Sequence, residues 1–134
     1  MQILPLRLSP DQDLRSALED ILGQYKLSAG FVLQGIGSLS TVNLRYAGVS
    51  QLTKLDGDFE ILTLAGSLAT NGVHQHMSVS NARGQVTGGH VAKGCIVRTT
   101  AEILIALLPE YQIARELDAH TGFGELAIRS APDH

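Results

Sequence analysis

The sequence predicts an α+β fold, a largely antiparallel β-sheet with two main helices packed against it. Three observations carry this expectation. Two stretches place apolar residues at helical spacing behind capping residues. Most of the remainder alternates, or runs apolar, at strand length. The strand connections are mostly too short for the crossovers that parallel pairing requires. The chain has 134 residues, 44% of them apolar, which suffices for one core. Residues 1–129 are expected to form a single domain and Ser130 to His134 a disordered tail.

The first helix rests on Leu14, Ala17, Leu18, Ile21, Leu22 and Tyr25, which form one apolar stripe. Ser9, Pro10 and Gln12 supply an N-cap, a first-turn proline and a capping-box partner. Gly23 weakens the interior by about 1 kcal/mol relative to alanine, so the last turn is expected to fray before Gly30. The second helix is expected over Ala101 to Leu108, with Thr99 and Glu102 as its capping box, Ile103, Leu104, Leu107 and Leu108 as its stripe, and Pro109 near its end.

Among the strands, Val42, Leu44 and Tyr46 alternate with Asn43, Arg45 and Ala47, a period of two that buries one face. Phe59 to Leu68 is more continuously apolar, as in a central strand covered on both faces, and Asp56-Gly57 before it signals a turn. Further strands are expected around Phe31 to Ile36, Val73 to Ser80, Gln85 to Val91, Cys95 to Arg98 and Leu126 to Arg129. Gly35-Ile36-Gly37-Ser38 suits a bulge or tight turn; no phosphate-binding loop is formed, because no Gly-x-Gly-x-x-Gly opens a helix.

Composition narrows the function. Ten Lys and Arg against thirteen Asp and Glu leave a formal charge of −3, and the cations are scattered singly, which argues against a nucleic-acid surface. The longest apolar run, Ile103 to Leu108, is far shorter than the roughly 20 residues of a membrane span. The first residues lack a basic segment followed by a long apolar one, so a cytoplasmic location is expected. Cys95 is alone and can form no intrachain disulfide.

The chemistry concentrates on histidine. In an extended Val73 to Ser80, His74 and His76 share a face because side chains two apart point the same way. His90 follows across Asn81-Ala82-Arg83-Gly84, which has turn composition, so a hairpin would return it to the pair. Gly88-Gly89 removes bulk beside it. Three imidazoles on adjoining strands can take three corners of a tetrahedron and leave the fourth open, which suits zinc. A cupin-like strand would carry a carboxylate a few residues on, where this chain has Ser78, Ser80 and Asn81. Cys95 reads as core filler rather than as a fourth ligand. His120 and His134 read as solvated or disordered residues, and Glu102 as a cap.

Gly35-Ile36-Gly37-Ser38-Leu39, Leu44-Arg45-Tyr46, Gly57-Asp58-Phe59-Glu60-Ile61-Leu62, Gly72-Val73-His74-Gln75-His76, Gly84, Gly88-Gly89-His90 and Gly94-Cys95 together resemble the PPC domain, conserved in plants and prokaryotes. The resemblance implies a homotrimer and a metal site on His74, His76 and His90. Plant members carry an AT-hook and a Gly-Arg-Phe-Glu-Ile-Leu stretch for protein partners; this chain shows no AT-hook and has Asp58 in place of that arginine. The expected function is therefore a zinc-binding, trimeric binding or regulatory module for a small anionic ligand or a protein partner, with Arg45 or Arg98 assisting if they lie near. The alternatives are a zinc-dependent hydrolase or lyase using a metal-bound water, and a DNA-binding protein in which Arg83, Lys93 and Arg98 gather on one face of the trimer.

Overall fold

A computed structural model describes residues 1–132, most of them in antiparallel strands. In chain order the elements are β1 (Gln2–Leu8), α1 (Leu14–Glu19), α2 (Ile21–Tyr25), β2 (Ala29–Arg45), β3 (Leu52–Ala69), β4 (Gly72–Ser80), β5 (Val86–Val91), β6 (Ile96–Leu107), β7 (Tyr111–Leu117) and β8 (Gly124–Ser130). Six strands form one sheet in the order β1-β6-β2-β3-β4-β5, while β7 and β8 pair as a separate ribbon. The sheet curls until β5 also meets the far end of β2, pairing Arg45 with His90 and Leu44 with Val91.

The expected second helix over Ala101 to Leu108 is instead the end of β6, bonded to β1 on one side and β2 on the other. Ile103-Leu104-Ile105-Ala106-Leu107 is apolar without a helical period, and its β-branched residues fit a strand flanked on both edges. Glu102 therefore caps nothing: it sits exposed in the strand opposite Arg7. The Thr99 N–H bonds the Ser38 hydroxyl rather than opening a helix.

Only the first helix forms, as two short pieces. Leu14, Leu18, Ile21 and Leu22 of the expected stripe are buried, whereas Tyr25 is exposed. The cap is Asp13 rather than Ser9: its carboxylate accepts from the Ser16 N–H at 3.0 Å. Gln12 keeps half of the expected capping box, its side chain accepting from the Ser9 N–H at 2.7 Å. The helix stops at Lys26, in the left-handed conformation with φ 54°, where the Leu27 N–H reaches back to the Leu22 carbonyl.

The two expected segments Phe31 to Ile36 and Val42 to Tyr46 belong to one bulged strand, β2. Asp56-Gly57 is not a turn but lies inside β3, where Gly57 and Asp58 together oppose the single residue Ser40. Gly57, at φ 148°, absorbs the extra residue, and the Thr41 hydroxyl donates to Asp56 at 3.0 Å beside it. Gly37 has a different reason: a Cβ there would overlap the Thr100 carbonyl of β6.

The main core joins the helix pieces to the inner sheet face through Leu14, Leu18, Leu39, Leu44, Leu64 and Ile105. Cys95 belongs to this core and exchanges hydrogen bonds with the Asn43 backbone. Burial pushes its thiol up to about 11. A smaller cluster of Ala29, Ala69 and Ile113 seats the ribbon. Of the expected tail, Ser130 ends β8 and the Ala131 N–H bonds the Glu110 carbonyl; His134 lies outside the described residues. Among the described residues no helix is long and apolar enough to cross a membrane.

Candidate metal centre

The β4–β5 hairpin assembles the histidines. Asn81 organises its turn: its side-chain oxygen accepts from the Arg83 and Gln85 N–H groups, and its carbonyl from Gly84. Gly84 takes φ 75°, which a side chain would resist. The register that results sets His76 directly opposite His90. His74, two residues before His76, shares its face. Gly88 and Gly89 permit close strand approach, since a Cβ on either would crowd the Met77 or Arg45 carbonyl.

The three rings meet on the outer side of the sheet. His76 Nε2 lies 3.1 Å from His74 Nε2 and 3.0 Å from His90 Nδ1, and all three nitrogens fall within 4.8 Å of one another. The rings of His74 and His90 are nearly parallel, 16° apart, with His76 edge-on to both. A tetrahedral ion with bonds of roughly 2.0–2.1 Å separates its ligand nitrogens by about 3.3 Å, close to the two separations through His76; the His74 and His90 nitrogens would have to come to the same separation for all three to share one ion. The arrangement is awkward without a cation. A neutral ring nitrogen carries one hydrogen or one lone pair, so His76 Nε2 can complete a hydrogen bond with only one of its two neighbours. One ion accepting a lone pair from each ring satisfies all three.

The surroundings disfavour the charged form of His74 and His90. Desolvation lowers the His74 pKa, followed by the positive charges of His76 and Arg115 and, more weakly, His90 and Arg15. Desolvation also lowers His90, followed by Arg45 and His76. Arg45 is thus beside the site, as its pairing with His90 requires, whereas Arg98 is engaged elsewhere with Asp58. Lys93 pairs with Glu19 at 3.5 Å, and Arg83 occupies the hairpin turn.

Two neighbours were not foreseen from the sequence. Arg115, on β7, hydrogen-bonds Ser67 at 2.6 Å, and Ser67 is the β3 partner of His74. Arg15, on α1, donates to the Val91 carbonyl at 2.8 Å and the Val73 carbonyl at 3.4 Å, bridging β5 and β4 where they separate. No local spacing links either residue to the histidines; tertiary packing brings them there. Of the carboxylates, Glu125 of β8 lines both hollows that border the rings, whereas Asp56, Asp58, Glu60 and Glu102 line neither.

Residues 1–109 match the Plants and Prokaryotes Conserved (PCC) domain. The chain belongs to this family. Relatives place the PCC domain in different settings. A bifunctional GlmU protein of Synechococcus sp. (strain JA-2-3B'a(2-13)) is 49% identical over 129 residues, covering 96% of this chain but 20% of the relative. The chain thus spans about a fifth of the length of the curated relatives it matches. A solved structure of a hypothetical protein from Salmonella enterica is 41% identical, with a TM-score of 0.93 over 96% of this chain and 94% of the other. A metal-containing protein of Archaeoglobus fulgidus shares the PCC fold at 23% identity, TM-score 0.80, covering 95% and 94% of the two chains. So does a candidate DNA-binding protein of Ralstonia eutropha, at 23% identity and TM-score 0.76, covering 92% and 89%.

Proposed function

We propose that this PCC domain is a metal-dependent binding module of the cytoplasm in which His74, His76 and His90 hold a divalent ion, zinc, whose open side captures a small anionic ligand or a protein partner. The observation that carries the reading is the shared position of His76 Nε2, about 3 Å from both other ring nitrogens. Zinc bound there would supply a Lewis-acidic centre with a free coordination position. The protein's part is to present neutral imidazoles at ligand spacing, which the lowered pKa values of His74 and His90 favour. The metal-containing relative from Archaeoglobus fulgidus supports the same reading.

Assembly as a homotrimer belongs to this proposal. Ile36 and Leu104 are exposed on the outer sheet face, beside a hollow of about 580 Å³ that Pro5 and Leu6 also line. Covering such a surface with a second copy removes apolar area from water. DNA as partner rests on likeness to proteins such as that of Ralstonia eutropha. The net charge of −3 and the engagement of Arg98 and Lys93 by carboxylates oppose it.

Elemental analysis of untagged protein tests the metal. About one divalent ion per chain is expected, with at least a tenfold loss of occupancy in His76→Ala. Wild-type protein that takes up no zinc on titration would remove the reading. Light scattering should return the mass of three chains.

A further inference from the structure

The histidine cluster borders a hollow of about 690 Å³ lined by Arg15, Arg45, His74, His90, Arg115 and Glu125, among others. This size is typical of small-molecule sites. In a chain whose overall charge is −3, three guanidinium groups here face one carboxylate.

The backbone places these arginines. Arg45 stands opposite His90 in the β2–β5 ladder, and partners in such a ladder have their Cβ atoms about 4.5–5.5 Å apart. Arg115 is fixed from the other side: Asn71 accepts from its backbone N–H at 2.7 Å and donates to its carbonyl at 2.9 Å. One of its guanidinium nitrogens bonds Ser67, beside His74, leaving its other donors for a ligand. Arg15 is committed to the Val73 and Val91 carbonyls and to Glu19. Arg45 is half-buried, yet among the described residues its side chain takes part in no hydrogen bond or ion pair. Guanidinium groups with free donors in a concave site are suited to carboxylate or phosphate oxygens, which they can hold through paired N–H donors. Gln75, which also lines the hollow, is only 1% exposed, and its side-chain amide has no hydrogen-bond partner.

We propose that this hollow is an oxyanion subsite: Arg45 and Arg115 bind the phosphate or carboxylate group of a small molecule, while a second donor of the same molecule reaches the ion at the imidazoles. The second half of this statement rests on the metal reading above; the first does not.

Metal-free protein therefore provides the test. Inorganic phosphate and malonate are titrated calorimetrically at low ionic strength into wild type, Arg45→Gln, Arg115→Gln and, as a control on the hairpin turn, Arg83→Gln. Wild type and Arg83→Gln should bind at least one probe, with a tenfold or greater loss in Arg45→Gln. Tighter phosphate binding assigns a phosphoryl group to the ligand, and tighter malonate binding a carboxylate. If Arg115→Gln unfolds because it anchors the ribbon, Arg45→Gln decides alone. Zinc stoichiometry in Arg45→Gln should stay at the wild-type value. His76→Ala should lose zinc and keep anion binding, so the two readings fail separately. Absence of binding by wild type, or equal binding by Arg45→Gln, overturns the subsite.

Discussion

Replacing Asp13 with alanine should destabilise the domain by about 2–3 kcal/mol, because one carboxylate serves two segments distant in sequence. One oxygen accepts from the Ser16 N–H at 3.0 Å and caps α1; loss of such a cap costs about 1 kcal/mol. The other accepts from the Gly94 N–H at 2.6 Å, in the connection between β5 and β6. Leaving an amide unpaired costs roughly 1–3 kcal/mol, and the lower half of that range applies because Gly94 is half-buried and water can reach it in part. Asp13→Asn keeps one acceptor oxygen and should lose about half as much. Urea denaturation at pH 7 reads both values, with an unchanged slope showing that the transition still exposes the same surface. A loss below about 0.5 kcal/mol for Asp13→Ala, or equal losses for the two variants, would refute the dual role.

The lowered pKa values of His74 and His90 set a pH dependence for the metal-free protein. The unfolded chain binds more protons between the depressed folded values and 6.5, so stability should rise with pH through that window and fall on acidification; urea midpoints from pH 5 to 7.5 that slope the other way would exclude it. Cys95, with its thiol pushed up to about 11, should react with an aromatic disulfide reagent at pH 8 only on unfolding, since about a thousandth of it would be thiolate even if it were accessible. Gly66→Ala would drive a Cβ into the His74 carbonyl across β3 and β4. It should cost about 1–3 kcal/mol or more and lower zinc occupancy with it, and wild-type values in both urea and metal assays would show that the strands yield.

The histidine face was legible because its signals are local. Period-two alternation set the faces of Val73 to Ser80, and the Asn81-to-Gly84 turn set the length of the hairpin, so the meeting of His76 with His90 followed from spacing. The apolar run in β6 carries no period, and short-range capping patterns at Thr99 and Glu102 made a strand resemble a helix. Strand β7 escaped notice because Ile113 is its single fully buried residue, which leaves no alternation to read. Asp56-Gly57 has turn composition, yet its partner strand had room for a bulge, a fact held in β2 and not in the dipeptide. The arginines around the site were the least legible. Arg45 reaches His90 only because the sheet curls, and Arg115 reaches His74 only because a ribbon some forty residues later folds back onto β3.

The curl of the sheet has a kinetic consequence. Strand β5 is held along both margins near His90, by β4 at His76 and by β2 at Arg45, so the rings gain their mutual placement when the chain folds and no segment need be ordered afterwards. Uptake of the proposed ion at such a cradle should then be governed by shedding hydration water and by encounter, without waiting for the slow motions that limit sites built on loops.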